Sequence, residues 1–479
     1  MARPSSDIVS ALTALLGADS LLTEAADLAA HIEDWRERYR GPAACVVLPR
    51  STQEVSDVVR LCHAHGVPVL PQGGNTSLCG GAVPGTDGQP PVIVALSRLR
   101  RIRSVDPANN AMVVDGGCVL ANVQEAAREA DRLYPISLGA EGSCQIAGTI
   151  ATNAGGTAVL RYGNTRENIL GLEVVLPDGA IWDGLKALRK NNTGYDLKHL
   201  FIGSEGTLGI ITGATLKLHP LPTAFCVAWV GVGSPDAALS LLGRLQSACG
   251  ARLSAFELIN DLQLDLVLAN VPGRRNPFSA SHPWHVLVEL SDNSPEVELS
   301  AVLGRVLEEA MEADLIEDAV LAASEAQRAA LWEIRHSVSE ANKKAGVGLT
   351  TDCAVPVSAV PTFIAQATEA VRAIVPDLPV IVVAHMGDGN AHFIPFFTYP
   401  EWEAVADKEA MAHRMRHVVN EVSHALGGTF SAEHGVGRTH IAEMAHFKSP
   451  VELKLMHAVK AAFDPDNLFN PGRLLPPAA

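Results

Sequence analysis

None of the eight cysteines forms a CxxC pair. That argues against a disulfide or zinc framework and reads as reduced thiols in a cytosol. No run of about eighteen apolar residues occurs, so no transmembrane helix is expected. Basic residues are in the minority, 37 against 53 acidic, and the net charge of −16 speaks against nucleic acid and anionic membrane surfaces as partners. No G-x-G-x-x-G follows a strand and no G-x-x-x-x-G-K occurs anywhere, which disfavours a Rossmann site and a P-loop. Residues 1–30 show neither a basic start with an apolar core nor an Arg-rich amphipathic pattern. No secretory or mitochondrial address is visible, so a cytoplasmic protein is expected. Repeats and low-complexity segments are also missing.

What is present is length and apolar content: 479 residues, 47% hydrophobic, enough for two or three domains with filled cores. Their organising feature is a loop at residues 71–81, PQGGNTSLCGG, entered from the short apolar strand Pro68-Val69-Leu70. Paired glycines free the backbone for positive φ and close approach of a ligand. Successive N–H groups in such a turn make a concavity suited to a pyrophosphate. A glycine-rich surface turn would read the same in isolation. Here the apolar entry puts the loop at a core edge, and a second small-residue loop follows at residues 137–163. With so little bulk, that stretch packs poorly on protein but well on a flat ligand.

Around these loops the chain reads as alternating elements. The first forty residues look helical, then irregular. A strand at residues 44–49 leads into the capping box Ser51-Thr52-Gln53-Glu54, and Val55, Val58, Val59 and Cys62 recur at helical spacing until Gly66. Strands are expected at 92–96, 111–115 and 172–176, with a helix over 119–130. Another small-residue stretch runs from Phe201 to Ile211. Proline-marked residues 218–222 form the expected domain boundary. Beyond it, apolar strands at 225–232 and 285–290 alternate with alanine-rich helices at 235–248 and 295–313, an α+β pattern around an antiparallel sheet.

Two places in this second half concentrate chemistry. Residues 380–384 form a β-branched run ending at His385; Gly387-Asp388-Gly389-Asn390 is strong turn chemistry, and the chain returns through His392. Two imidazoles flanking one turn suit a divalent transition metal; two hairpin histidines satisfied by hydrogen bonds are the alternative. Ser431-Ala432-Glu433-His434-Gly435-Val436-Gly437 then offers a carboxylate and an imidazole in a backbone-tight setting. His63 and His65 point to different sides of their helix and read as solvated. His413, His417 and His424 read as one solvated helix face.

The two glycine loops, in this order and spacing, resemble the flavin-binding loops of the vanillyl-alcohol oxidase/p-cresol methylhydroxylase superfamily, and within it the D-2-hydroxyacid dehydrogenases of the D-2-hydroxyglutarate dehydrogenase group. The resemblance runs from about residue 43 to residue 473. It implies an α+β fold: a PCMH-type, two-subdomain FAD-binding domain over residues 1–221, an α+β cap domain over 222–440 that holds the substrate, and a segment over 441–479 that returns to the flavin. The implied FAD contacts are Gln72, Gly73, Gly74, Asn75, Thr76 and Ser77 in the first loop. Gly139, Ser143, Gly148, Thr149, Thr152, Asn153, Gly155, Gly156, Tyr162 and Gly163 follow in the second, then Glu205, Ile210, Ile211 and Asn470. His385, His392 and Glu433 match the family's metal ligands, His434 its catalytic base and Arg335 its substrate-carboxylate arginine, with Ser339, Thr350 and Asn390 at substrate positions.

Together these imply oxidation of a D-2-hydroxyacid. A divalent cation, with zinc expected, lowers the pKa of the substrate hydroxyl. His434 takes the proton, Arg335 binds the carboxylate, and FAD accepts the hydride. Three protein ligands leave room for substrate, as a catalytic site requires. The first loop contains no histidine, which superfamily members with covalent flavin often carry, so the FAD is expected to be non-covalent. Electrons would pass to an electron-transfer flavoprotein or a quinone, and a homodimer is allowed. A D-lactate or glycolate-type dehydrogenase of the same fold is the nearer alternative. A flavin-binding scaffold subunit would have no need of Arg335, the two hairpin histidines or Glu433-His434, and a metallohydrolase would have no need of the glycine loops. One departure concerns substrate: where D-2-hydroxyglutarate dehydrogenases commonly carry a lysine, this chain has Thr350, with Lys343 and Lys344 nearby as substitutes.

Overall fold

The computed structural model describes residues 5–294 and 296–478. Pro295, the expected start of one helix, and the first four residues lie outside them. The chain folds as two compact units. The first comprises Met1–Gly156, Gly163–Leu221 and Glu433–Ala479; the second comprises Thr157–Tyr162 and Pro222–Ala432. The first crossing falls at the proline-marked stretch. The return falls at Glu433 rather than at residue 441, because the chain from there is fastened within the first unit. Val436 N–H and Gly437 N–H each donate to the Glu205 carboxylate at 2.7 Å.

The first unit carries two main sheets. Strands β1 (Leu21–Leu22), β2 (Cys45–Val47), β3 (Val69–Gln72) and β4 (Val92–Ala95) order as β1-β2-β4-β3, with β4 parallel to both β2 and β3. The parallel crossover is the helix Thr52–His65. Ser51 Oγ caps it by accepting from Glu54 N–H, but the Glu54 carboxylate accepts from Arg50 N–H instead of closing the box on Ser51. Strands β5 (Ile102–Asp106), β6 (Ala111–Asp115), β8 (Ile169–Val175), β9 (Ile181–Gly184) and β10 (Ile210–Lys217) make an antiparallel sheet, ordered β5-β6-β10-β8-β9. Separately, β7 (Arg132–Leu133) pairs with β11 (His219–Pro220).

The second unit is built on one antiparallel sheet of β12 (Ala224–Val232), β13 (Leu253–Asn260), β14 (Trp284–Asp292), β15 (Asp318–Leu321), β16 (Gly346–Gly348), β17 (Cys353–Ala354), β18 (Val380–His385) and β19 (Asn390–Thr398). Its order is β15-β12-β14-β13-β18-β19-β16, with β17 also on β19. Side chains alternate between faces. Val230, Phe256, Leu258, Val288 and Phe393 fill one core; Trp229, Ile259, Leu287, Ile381 and Val383 fill the other. Both faces are covered, which is why these strands read as unbroken apolar runs. Residues 157–162 join this unit because Leu160 lies against Gly387 and Arg161 donates to Ser291.

No helix among the described residues is long and apolar enough to cross a membrane.

Candidate active site

In the first unit, β3 delivers the loop at 73–81 against the second glycine loop. A Cβ on Gly74 would sit 2.1 Å from Ser143 O, and one on Gly73 would lie 3.5 Å from Gly148 N. The loops are therefore packed backbone on backbone. By contrast, a Cβ on Gly139, Gly142 or Gly148 would meet nothing within 4 Å. Small residues here thus leave a surface that protein does not fill, which fits the flat ligand the sequence calls for.

Polar side chains hold these loops in place. Buried Gln72 donates to His31 O at 2.8 Å and to Ala82 O at 2.7 Å. Asn75, at φ 53°, donates to Ala30 O and Glu33 O. Ser77 Oγ accepts from Cys79 and Gly81 N–H. Thr149 and Thr152 hydroxyls donate back to Ile146 O and Gly148 O, and Asn153 Oδ1 accepts from Arg166 N–H. Asn470 donates to Gly81 O at 3.0 Å and Glu205 O at 2.8 Å, tying the C-terminal segment to two loops. Burial pushes the Glu205 carboxyl above its ordinary range, with the Val436 and Gly437 N–H groups and Arg473 acting against that shift. Gly156 N–H donates to Glu433 Oε2 at 3.3 Å, placing that carboxylate at the end of the second loop. The His434 ring lies 3.5 Å from the other Glu433 oxygen.

In the second unit, one face of the sheet gathers the polar side chains. Register pairs Glu257 with His385, His385 with Asn390, and Val383 with His392. Directly paired residues share a face, and a strand's alternate residues do too. Glu257, His385, Asn390 and His392 therefore share the Val383 face, and the pairing of Cys353 with Ala391 brings Asp352 onto it opposite His392. The turn at 386–389 works as expected: Gly389 has φ 85°, and a Cβ there would come 2.1 Å from Val355 O. Asp388 Oδ1 accepts from Asn390 N–H.

The two imidazoles, His385 and His392, have ring centres 5.6 Å apart. His385 Nδ1 is 2.8 Å from Glu257 Oε1. Arg335, from the helix Glu325–His336, donates Nε to Glu257 Oε2 at 2.8 Å, and its Nη2 lies 3.5 Å from His385 Nε2. Burial pushes the Glu257 carboxyl up, but the neighbouring His385 and Arg335 outweigh it and hold the group below its ordinary range. A carboxylate only accepts, so His385 carries hydrogen on Nδ1, and its other ring nitrogen, Nε2, faces Arg335 Nη2. The two imidazoles are nitrogen donors of the kind a divalent metal would take, and an opening of about 10 Å³ beside them, lined by Leu160, Glu257, His385 and Asp388 among others, has room for about one water.

Residues 43–184 match the FAD binding domain, and residues 221–474 match the C-terminal domain of FAD linked oxidases. A D-2-hydroxyglutarate dehydrogenase from Xanthomonas citri is 37% identical over 454 residues, covering 95% of this chain and 94% of that one. The chain belongs to the FAD-linked oxidases, in their D-2-hydroxyglutarate dehydrogenase group. A Saccharomyces cerevisiae relative, D-2-hydroxyglutarate–pyruvate transhydrogenase, is 32% identical over 469 residues, covering 95% of this chain and 92% of its own. In fold, this FAD-linked oxidase is similar to p-cresol methylhydroxylase: TM-score 0.75 at 18% identity, over 98% of this chain and 96% of that one. It is thus an oxidoreductase with a PCMH-type FAD-binding domain and a cap domain.

Within this oxidase the expected site residues fall into two groups. The flavin loops, Glu205, Asn470, Glu433 and His434 lie in the first unit, and His385, Asn390, His392 and Arg335 lie in the second. Tyr162 belongs to the second unit, not to that of the glycine loops. Asn390 has its amide committed to Asp352 and to Cys353 O at 2.9 Å, so it braces the hairpin. Ser339 is exposed, in the helix Val338–Ala345 that follows the one carrying Arg335. Thr350 is half-buried. Lys344 is tied to Glu340 and to Asn270 O, and Lys343 is exposed.

Glu257 and Asp352 escaped the sequence reading. Asp352, 4% exposed, accepts from Asn390 and Ala432. Neither sits in a motif; only strand register brings them to the histidines.

Proposed function

We propose that this oxidase converts a D-2-hydroxyacid to the 2-oxoacid, with D-2-hydroxyglutarate or a smaller relative as substrate. The observation carrying this reading is the shared sheet face on which His385, His392 and Arg335 are held. FAD, cradled by residues 72–77 and 139–156, supplies a hydride acceptor. A divalent metal, zinc from its nitrogen and carboxylate donors, would be held by His385, His392 and Glu433 and supplies Lewis acidity toward the substrate hydroxyl. Neutral His434 accepts the hydroxyl proton. With Nε held by Glu257 and Nη2 beside His385, Arg335 presents its guanidinium edge to the substrate carboxylate. An electron-transfer flavoprotein or a quinone then takes the electrons. Eight free, buried cysteines suit a reducing compartment, and the cytoplasm is the proposed location.

Anaerobic addition of D-2-hydroxyglutarate or D-lactate to the yellow enzyme should bleach the flavin absorbance; an unchanged spectrum with both acids would sink the reading. The cofactor is proposed to be non-covalent, since no histidine occurs in residues 71–81. Acid precipitation should release all colour to the supernatant, and a yellow pellet would contradict this.

A broadened substrate range is the second reading. By the family resemblance Thr350 stands where D-2-hydroxyglutarate dehydrogenases commonly carry a lysine, and the Lys344 ammonium is already bonded to Glu340. Losing a charge-assisted hydrogen bond costs roughly 1.5–3 kcal/mol, enough to weaken a dicarboxylate by one to two orders of magnitude. The yeast relative's name couples a dicarboxylate with pyruvate, which supports a site tolerant of both sizes. D-lactate should therefore reduce the flavin comparably to D-2-hydroxyglutarate in stopped flow. A hundredfold preference for the dicarboxylate would restore the narrow assignment.

A further inference from the structure

Glu257 takes no part in the reaction just proposed, yet it is a carboxylate only 1% exposed in the middle of the largest sheet. The apolar cluster on that side of the sheet holds Ile259, Leu287, Ile381 and Val383 from the strands and Leu331 and Ile334 from the helix Glu325–His336, so an apolar side chain would suit the position at no electrostatic cost. A buried carboxylate is tolerated only when it is paired and hydrogen-bonded. Its two oxygens are divided: Oε1 faces His385 Nδ1 and Oε2 accepts from Arg335 Nε, each at 2.8 Å.

We propose that Glu257 is a positioning residue that sets the metal-facing imidazole of His385 and the substrate-facing guanidinium of Arg335 against each other on one anion. The inference rests on the functional reading above. Each contact selects what its partner presents. His385 must place a hydrogen on Nδ1, which fixes the ring plane and so the direction in which Nε2 points. Arg335 spends Nε on Glu257, which fixes the plane of its guanidinium and the direction of its Nη edge. The 3.5 Å between Arg335 Nη2 and His385 Nε2 shows the two presented ends converging. Such outer carboxylates orient metal-binding histidines and tune their affinity. Here the same carboxylate also holds the arginine, so loss of Glu257 should affect metal and substrate together.

Glu257→Gln is the test, since it keeps the volume and removes one acceptor. The amide can accept from Arg335 only by turning its N–H toward His385 Nδ1, which drives the imidazole hydrogen to Nε2. The reverse orientation serves His385 and repels Arg335. Metal affinity is measured on the full-length, FAD-loaded protein by chelator competition without substrate, and KM for the hydroxyacid at saturating metal. The expected result is a metal affinity lower by about 10–100-fold, with KM raised by about tenfold or more. Glu257→Asp keeps the charge but is one methylene too short to reach both partners, and should show the same pair of shifts if the glutamine variant does not fold.

Both constants within twofold of wild type, with only a lowered melting temperature, would overturn the proposal, as would a shift in one constant alone. Loss of FAD and of a cooperative melt in both variants would also overturn it, in favour of a structural role. A wild-type enzyme that binds no divalent metal fails differently, in the wild-type arm, and counts against the functional reading.

Discussion

His434→Gln should slow flavin reduction by about 10²–10⁴-fold while leaving flavin and metal content at the wild-type level. The substitution removes the proposed proton acceptor but keeps a polar side chain of similar reach. The backbone that carries it is held independently of the imidazole. Ala432 N–H donates to Asp352 O at 2.9 Å and to Asp352 Oδ2 at 3.1 Å. On the other side, Val436 and Gly437 N–H donate to Glu205. Neither anchor uses the His434 ring, so the variant should fold and bind cofactors normally. Its neighbour makes the contrast: Glu433→Gln should lower metal content, because a neutral amide coordinates more weakly than a carboxylate. Metal analysis and single-turnover reduction of both variants decide the assignment. Metal loss in the histidine variant, with slow reduction at full metal content in the glutamate variant, would reverse the two roles.

Gly74→Ala should abolish FAD binding and lower the melting temperature of the protein freed of flavin, whereas Gly148→Ala should abolish or weaken FAD binding alone. The difference lies in what each new methyl meets. At Gly74 it would stand 2.1 Å from Ser143 O, and backbone carbonyls do not move aside cheaply, so the two loops must separate. Overpacking of this kind typically costs about 1–3 kcal/mol and occasionally more. At Gly148 the methyl meets no protein atom within 4 Å. This residue lies in the short helix Ile146–Ala151, where alanine is favoured over glycine by about 1 kcal/mol. The flavin-free Gly148 variant should therefore melt no lower than wild type, and its lost affinity would mark the open space as the cofactor's. Calorimetry of both variants without flavin, with fluorescence titration of added FAD, reads the two effects separately. A Gly148→Ala protein with wild-type FAD affinity would remove the second loop from the cofactor site.

Features legible in the sequence were those decided over a few residues. The glycine pairs at 73–74 and 155–156, the turn at 387–390 and the helix capped at Ser51 depend on local φ/ψ freedom and nearby donors, which residue type reports directly. The domain crossing after Leu221 is marked by its own prolines. His385 and His392 flank a tight turn, so their proximity follows from the hairpin alone.

Long-range pairing was not legible. Gln72, Asn75 and Asn470 sit in the expected loops, but their amides close bonds to His31, Ala30 and Gly81, and nothing in local sequence names those partners. The stop at Ser337, which divides the stretch into the helices Glu325–His336 and Val338–Ala345, has no proline or glycine to announce it. Residues 157–162 joined the second unit through contacts to residues more than a hundred positions away. Glu257 and Asp352 reached the histidines through antiparallel register, in which a shift of one residue would have turned each side chain to the opposite face. Residue types and spacing thus located two glycine loops, a hairpin pair of histidines and a Glu-His pair, and the family resemblance gave these and Arg335 their expected roles. Only the tertiary structure decided that a buried glutamate stands between a histidine and an arginine, because a pairing 128 residues long in sequence has no local signature.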